Sequence, residues 1–108
     1  MKNKGVFIVM ANVKPEQEDA FNRWYDEDHM PKALNRFPGV ISGRRHKIID
    51  GGDGYNYMAI YEFESEAKLN ETMKSDALQG LIQEFNDTFG EVDRKRVLAV
   101  EIKAFLTG

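Results

Sequence analysis

Short stretches rich in strand-forming residues recur four times along the chain and predict four β-strands. Apolar and polar positions alternate most clearly over residues 55–63, where aromatic side chains share one face. The other predicted strands cover residues 5–13, 39–49 and 97–105. Residues 50–54 join the middle two strands as a hairpin, because their glycines adopt the positive φ angles that tight turns need.

Helical spacing of apolar residues predicts a first helix that begins at Pro15 and runs to about residue 34. Phe21, Trp24 and Tyr25 lie three and four positions apart and therefore share one apolar face. Pro31 allows the helix to continue for a turn with a kink, whereas the Phe-Pro-Gly sequence at residues 37–39 ends it.

A second helical region is predicted in two parts, over residues 66–73 and 77–89. Ser65 and Ser75 precede these segments, and a serine in that position accepts a hydrogen bond from an unpaired N–H of the first turn. Gly90 follows the second segment and ends it.

The order of elements is strand, helix, strand, strand, helix, strand, which is typical of the split βαβ arrangement. This order predicts an α+β, ferredoxin-like βαββαβ protomer with a four-stranded antiparallel sheet and both helical regions on one face. With 108 residues the chain fits one domain, expected over residues 1–108.

The opposite face of the sheet is also expected to be apolar. In the third strand Tyr57, Tyr61 and Phe63 lie on one side and Met58 and Ile60 on the other, and both sets are more apolar than a solvated face. The sequence leaves open which set packs under the helices. A homodimer that joins two sheets face to face is the simplest way to cover the remaining set.

Composition limits the classes of function. The absence of cysteine excludes disulfides, thiolate metal sites and cysteine nucleophiles. The net charge is −3, and the basic residues form two short clusters, so nucleic-acid binding is not expected. Apolar runs stay far below the ~20 residues that span a bilayer, and the apolar N-terminal stretch is short and strand-like, so we expect a cytoplasmic protein without a membrane segment.

His29 is the candidate catalytic residue, because it follows the aromatic helix face and its unperturbed pKa of about 6.5 suits proton transfer at neutral pH. Its predicted place near the helix end makes it partly exposed. The alternative is a histidine that caps the helix C-terminal carbonyls or faces water. Residues 26–28 are acidic but have one histidine nearby, so they are interpreted as a solvated face and no metal site is predicted.

Several further side chains are candidates for substrate binding, each with a structural alternative. Trp24 and Tyr25 either form a platform for a ligand or pack in the core. Tyr57 and Tyr61 either pack under the helices or direct their phenols at a substrate carbonyl. Arg44 and His46 bind an anionic or enolate oxygen if they share the cleft, and otherwise lie on the surface.

Three segments of this sequence resemble the EthD-like proteins of the dimeric α/β-barrel superfamily. The segments are WYDEDHMP at residues 24–31, PGV at 38–40 and SGRR at 42–45. The resemblance implies a ferredoxin-like protomer, a dimer, and a position for His29 where the helix overhangs the cleft between sheet and helices. The superfamily includes cyclases, dehydratases, isomerases and monooxygenases, so the resemblance specifies the fold better than the reaction.

Two classes of function follow. In the first, the chain is a small enzyme without a cofactor that acts on a hydrophobic, oxygenated small molecule; His29 moves a proton, and Arg44, Tyr57 or Tyr61 steadies a carbonyl oxygen. In the second, it is a non-catalytic dimeric ligand-binding or accessory protein. A haem- or quinone-type monooxygenase is a weaker alternative that rests on the resemblance.

Overall fold

A computed structural model describes residues 3–90 and 92–108 of the chain. The strands are β1 (Gly5–Asn12), β2 (Val40–Lys47), β3 (Tyr57–Phe63) and β4 (Asp93–Val100), and the α-helices are α1 (Glu18–Trp24), α2 (Met30–Arg36), α3 (Glu66–Met73) and α4 (Asp76–Phe89). The strands form one antiparallel sheet in the order β2-β3-β1-β4. The predicted α+β, ferredoxin-like fold is confirmed, whereas the single domain over residues 1–108 stays a prediction.

The first helical region follows one path from residue 15 to residue 36. It opens with a 3₁₀ turn over Pro15–Gln17 and continues as α1, a π-helical segment over Tyr25–His29, and α2. The N–H of Met30 donates to the carbonyl of Tyr25, five residues back, which is the wider π spacing. Pro31 therefore lies in the first turn of α2, where its missing N–H is tolerated.

The predicted caps of the second helical region are confirmed. The hydroxyl of Ser65 accepts from the N–H of Lys68 at 3.2 Å, and that of Ser75 accepts from the N–H of Leu78 at 3.1 Å. Gly90 ends α4 with a φ of +65°, a left-handed conformation that glycine adopts without strain.

The predicted position of the last strand, residues 97–105, is wrong. β4 begins at Asp93 and ends at Val100, and residues 101–108 have no regular secondary structure. β4 is an edge strand, and its ladder with β1 pairs Asn12 with Asp93 at one end and Gly5 with Val100 at the other. The bounds of β4 are therefore set by its pairing with β1. They do not follow the apolar run of the sequence.

The helices cover the face of the sheet that carries the aromatic row of β3. Tyr57, Ala59, Tyr61 and Phe63 are buried beneath the helices, together with Phe7 of β1. Met58 and Ile60 lie on the other face, beside Ile8 and Met10. We call this second surface the outer sheet face; its apolar centre consists of Val6, Ile8, Met10, Met58, Ile60 and Val97.

A β-bulge in β2 decides which of its cations faces the helices. The register shifts between Val40 and Ser42, so simple alternation breaks at that point. Arg45 then lies on the helix side, where its guanidinium carbon is 4.7 Å from the centre of the Tyr25 ring. Arg44 and His46 pair with Ile60 and Met58 and lie on the outer sheet face. Among residues 3–90 and 92–108, no helix is long and apolar enough to cross a membrane.

Candidate functional site

A cavity of about 380 Å³ lies between the sheet and the helices. Its apolar wall includes Phe7, Phe37, Leu78, Leu81, Ile82 and Phe85. Its polar wall consists of Tyr25, His29, Tyr61, Asp93, Arg94 and Arg96. A mostly apolar cleft with a few convergent polar groups has the usual character of a small-molecule site.

His29 is the last residue of the π-helical segment and lines this cavity. Its ring stacks on Trp24 at a centroid distance of 4.5 Å and contacts Tyr25 edge-on at 4.8 Å. The side chain is 8% exposed, and within the described residues its Nδ1 atom is buried without a hydrogen-bond partner. The expected partial exposure is therefore wrong, because the helix continues past Pro31 and places His29 inside a helical run.

Burial controls the protonation of His29. Removal of the imidazole from water lowers its pKa from 6.5 to about 4, and the carboxylates of Glu84 and Asp28 oppose this change only in part. Lys32 holds both carboxylates, with its Nζ 2.6 Å from Glu84 and 3.1 Å from Asp28. His29 is consequently neutral at neutral pH and enters any reaction as a free base or a neutral donor.

Tyr25 and Tyr61 form a buried pair of phenols in the same cavity. Their hydroxyl oxygens are 3.2 Å apart, so one hydroxyl donates to the other and the second proton remains for a ligand. Burial raises the pKa of both phenols, although the Arg45 guanidinium lowers each slightly. Both side chains stay protonated at neutral pH and suit donation to a carbonyl or enolate oxygen.

Two cavity arginines, Arg94 and Arg96, were not among the residues that sequence reasoning selected. They lie on the helix side of β4, opposite Ala11 and Val9 of β1. The predicted strand began at residue 97 and left both arginines outside it. The available signal was their i, i+2 spacing, which places two side chains on one face as soon as the strand includes them.

The structure brings together some of the predicted substrate-binding residues and separates others. Tyr25 and Tyr61 line the cavity with His29, and Trp24 lies against the histidine ring. Tyr57 is buried on the same face of the sheet, but its hydroxyl accepts from Asn22 at 3.2 Å and it does not border the cavity.

Arg44 and His46 do not share the cleft with His29 in one protomer. Both are exposed on the outer sheet face, where Arg44 donates to the hydroxyl of Ser42 at 3.1 Å. The sheet lies between these two side chains and the cavity. Within one chain, Arg44 and His46 therefore do not bind a substrate oxygen in the cleft. Within residues 3–90 and 92–108, no group of three histidine or acidic side chains is arranged to hold a metal ion.

Comparison with solved structures places this architecture among known proteins. An EthD family protein from Bacillus halodurans C-125 has a TM-score of 0.68 at 16% identity, with 93% of this chain and 99% of that chain covered. A monooxygenase from Streptomyces coelicolor in complex with nanaomycin D has a TM-score of 0.67 at 15% identity, covering 99% and 94%. A hydroxynitrile lyase from Passiflora edulis has a TM-score of 0.67 at 14% identity, covering 98% and 100%.

These identities show a shared fold, and the resemblance to EthD-like proteins is confirmed at that level. No curated protein matches the chain in sequence. A family model described as a domain of unknown function (DUF4286) matches residues 4–98. The chain therefore belongs to the DUF4286 family and carries the ferredoxin-like fold of the EthD proteins.

Proposed function

We propose that this protein is a small acid–base enzyme that acts on a hydrophobic, oxygenated small molecule bound in the cavity. The observation that carries the proposal is the convergence of a neutral imidazole, His29, and a pair of protonated phenols, Tyr25 and Tyr61, on one apolar cavity. A base and an oxygen-directed donor are the two groups needed for proton abstraction next to a carbonyl.

In the proposed reaction His29 accepts a proton from the carbon beside the substrate carbonyl. The electron pair of that C–H bond moves onto the carbonyl oxygen, where a tyrosine hydroxyl donates a hydrogen bond to the enolate. Return of the proton from His29 to a different atom of the substrate completes an isomerisation. In a dehydration, the carbonyl re-forms, a carbon–carbon double bond forms as the C–O bond to a hydroxyl group on the next carbon breaks, and that hydroxyl takes the proton from His29 and leaves as water. The negative charge on the enolate raises the pKa of the nearby imidazole and offsets part of the effect of burial.

Proteins of the same fold support an enzymatic role. The Streptomyces coelicolor protein is a monooxygenase that binds nanaomycin D, and the Passiflora edulis protein is a hydroxynitrile lyase. Their reactions differ, so the fold supports small-molecule chemistry in general, and the assignment of proton transfer rests on the side chains of this cavity. The monooxygenase alternative with haem or a quinone stays a prediction.

The test begins with native mass spectrometry of the protein purified from its own cells, which identifies a bound molecule. With that molecule as substrate, His29→Ala is expected to reduce kcat by ~100-fold or more, as expected for loss of a general base, while ligand affinity and the circular dichroism spectrum persist. Arg23→Gln, on the exposed side of α1, is the control for a change of surface charge. Turnover that is unchanged in His29→Ala removes this residue from the mechanism.

A second candidate function is a non-catalytic ligand-binding or accessory protein. The pKa of His29, lowered to about 4 by burial, favours this candidate because a base with such a pKa abstracts protons weakly at neutral pH. The same cavity then binds its ligand and returns it unchanged. Incubation of the released molecule with fresh protein separates the two candidates, since only an enzyme converts it; chromatography that resolves isomers detects a product of unchanged mass.

We also infer a homodimer that is joined through the outer sheet faces. The apolar centre of that face has no helix over it among the described residues, and three apolar side chains beyond β4 are 82–94% exposed, namely Ile102, Phe105 and Leu106. In a two-fold dimer the same surface of each copy packs against that of the other, so a second copy of the chain would cover this apolar face.

A further inference from the structure

We propose that Arg94 and Arg96 form an anion-binding subsite in the cavity, and that the physiological ligand is a monocarboxylate with an apolar body. This inference rests on the proposed function in one respect: the cavity must be the ligand site. It adds the chemical class of the ligand, which neither the catalytic groups nor the fold specify.

The two guanidinium groups approach the cavity from one side. Arg94 and Arg96 are two positions apart on β4, on the face that also carries Leu98, and both border the cavity. Arg94 lies over the ring of Phe85, with its central carbon 4.1 Å from the ring centre, and donates to the side-chain oxygen of Asn86. This stacking fixes the plane of the guanidinium and leaves most of its five donors for a ligand.

Arg94 is partly buried and Arg96 is exposed. Arg94 differs from the other partly buried arginine of the described residues, Arg45. Arg45 has Asp26 at 2.7 Å and Asn22 at 2.8 Å. Among residues 3–90 and 92–108, no carboxylate lies within 4.0 Å of Arg94 or Arg96. A half-buried guanidinium without a counter-charge is unfavourable, and a bound carboxylate supplies that charge with two-point geometry.

The charge of the cavity favours an anion. His29 is neutral and the two tyrosines are protonated, so the charged groups of the lining are, among residues 3–90 and 92–108, Asp93, Arg94 and Arg96. The two guanidiniums outnumber the one carboxylate in this set, which gives the described lining residues one net positive charge. A ligand with one carboxylate neutralises this excess, whereas a dianion reverses it.

The subsite is also coupled to the catalytic group. The positive charge of Arg94 lowers the pKa of His29, and the same charge acts on Tyr25. A carboxylate that pairs with Arg94 cancels this influence and so raises the pKa of the imidazole towards its ordinary value. The proposed ligand class therefore makes His29 a stronger base than an uncharged ligand of the same shape does.

The experiment compares 2-naphthoate with 2-naphthamide, which have the same ring body and differ in charge. Isothermal titration calorimetry at low ionic strength is expected to show naphthoate binding at least ~10-fold more tightly than naphthamide, as for one charge-assisted hydrogen bond. In the Arg94→Gln/Arg96→Gln double variant this ratio falls to about one, because each guanidinium donates to the carboxylate. Arg23→Gln is the matched control and keeps the wild-type ratio.

Two further measurements test whether the probe binds in the cavity. Ile82→Trp fills part of the cavity and is expected to weaken both probes about equally, since Ile82 is a partly buried member of the lining. In NMR titrations the pKa of His29 is expected to be higher with naphthoate bound than with naphthamide bound, because both probes exclude water and only naphthoate neutralises Arg94.

Equal affinity for the two probes, or a ratio that the double variant preserves, overturns the anion subsite. Binding that Ile82→Trp leaves unaltered also overturns it, because the probe then lies outside the cavity. These outcomes are independent of the acid–base proposal. If naphthamide binds in the cavity as tightly as naphthoate, the anion subsite is wrong and proton transfer by His29 is still testable. If naphthoate is preferred but turnover does not depend on His29, the subsite is retained and His29 is removed from the mechanism.

Discussion

At the scale of single residues, the environment of His29 matters more than its identity. A histidine at the end of an exposed helix titrates near neutrality, but here Trp24, Tyr25 and Phe85 surround the ring, and Nδ1 is buried without a partner among the described residues. The cost of charging the imidazole in this aromatic setting links the protonation of one residue to the stability of the whole fold.

We expect His29 to reduce stability as the pH falls. The imidazole has a pKa of 6.5 in the unfolded chain and about 4 in the folded one, so between these values the unfolded state binds more protons. The stability contribution is complete above the higher pKa and is lost progressively down to the lower one, a change of about 3 kcal/mol. His29→Phe keeps a ring in this position and removes the titration.

Urea denaturation at neutral pH and at a pH near the lower pKa measures the difference. Between the two conditions, the free energy of unfolding of the wild type is expected to fall by about 3 kcal/mol more than that of His29→Phe. The remaining titratable groups are common to both proteins and cancel in the comparison. Equal losses in the two proteins would show that His29 is as easily protonated in the folded chain as in the unfolded one.

At the scale of elements, close approach between helix and sheet depends on a small residue in β1. A Cβ atom at Gly5 would lie 2.8 Å from the Cβ of Leu69 and 3.0 Å from the carbonyl oxygen of Ser65, and both of these atoms are fixed parts of α3 and its cap. Gly80, on the exposed side of α4, is the contrasting case: among the described residues, a Cβ there meets no atom within 4 Å.

The same substitution is therefore expected to have opposite effects at these two positions. Gly5→Ala should destabilise the protein by about 1–3 kcal/mol, because α3 must move away from β1. Gly80→Ala should stabilise it by roughly 0.5–1 kcal/mol, because alanine restricts the unfolded chain and favours the helix. Guanidinium unfolding of both variants is the measurement, and an equal sign for the two changes would contradict the role of Gly5 as a packing contact.

At the scale of the whole molecule, the covered and uncovered sheet faces define where a second copy can bind. Sedimentation equilibrium at low micromolar concentration is expected to give about twice the chain mass. Ile60→Asp, at the centre of the outer sheet face, should shift the protein towards the monomer, because burial of a carboxylate between two apolar sheets costs more free energy than its contact with the neighbouring Arg44 returns.

Leu98→Asp is the control for the dimer prediction. Leu98 pairs with Phe7 and belongs to the helix side of the sheet, where it is 50% exposed at the edge. The same change of side chain and charge is therefore expected to leave the dimer intact. A wild-type monomer, or dissociation by Leu98→Asp but not by Ile60→Asp, would show that the outer sheet face is not the interface.

The sequence by itself determined the elements and their order. The hairpin glycines, the serine caps at Ser65 and Ser75, and the helical spacing of Phe21, Trp24 and Tyr25 are local signals, and a local signal acts through backbone conformation and the period of side chains. From this order followed the antiparallel sheet and the placement of both helical regions on one face. The sequence also predicted His29 and Tyr61 as site residues, because the type of a side chain and its position within a helix or strand can be read from the sequence.

Only the tertiary structure decided which groups share the cavity. The extent of β4 depends on β1, a strand about ninety residues earlier, so the inclusion of Arg94 and Arg96 in the sheet was invisible to local patterns. The bulge after Val40 places Arg45 on the helix side of the sheet and Arg44 on the outer sheet face, whereas simple alternation from Val40 gives the opposite sides. The π-helical segment, together with α4 packed against it, buried the ring of His29 and lowered its pKa. Register, bulges and burial depend on contacts between distant segments, and the chemistry of this cavity depends on all three.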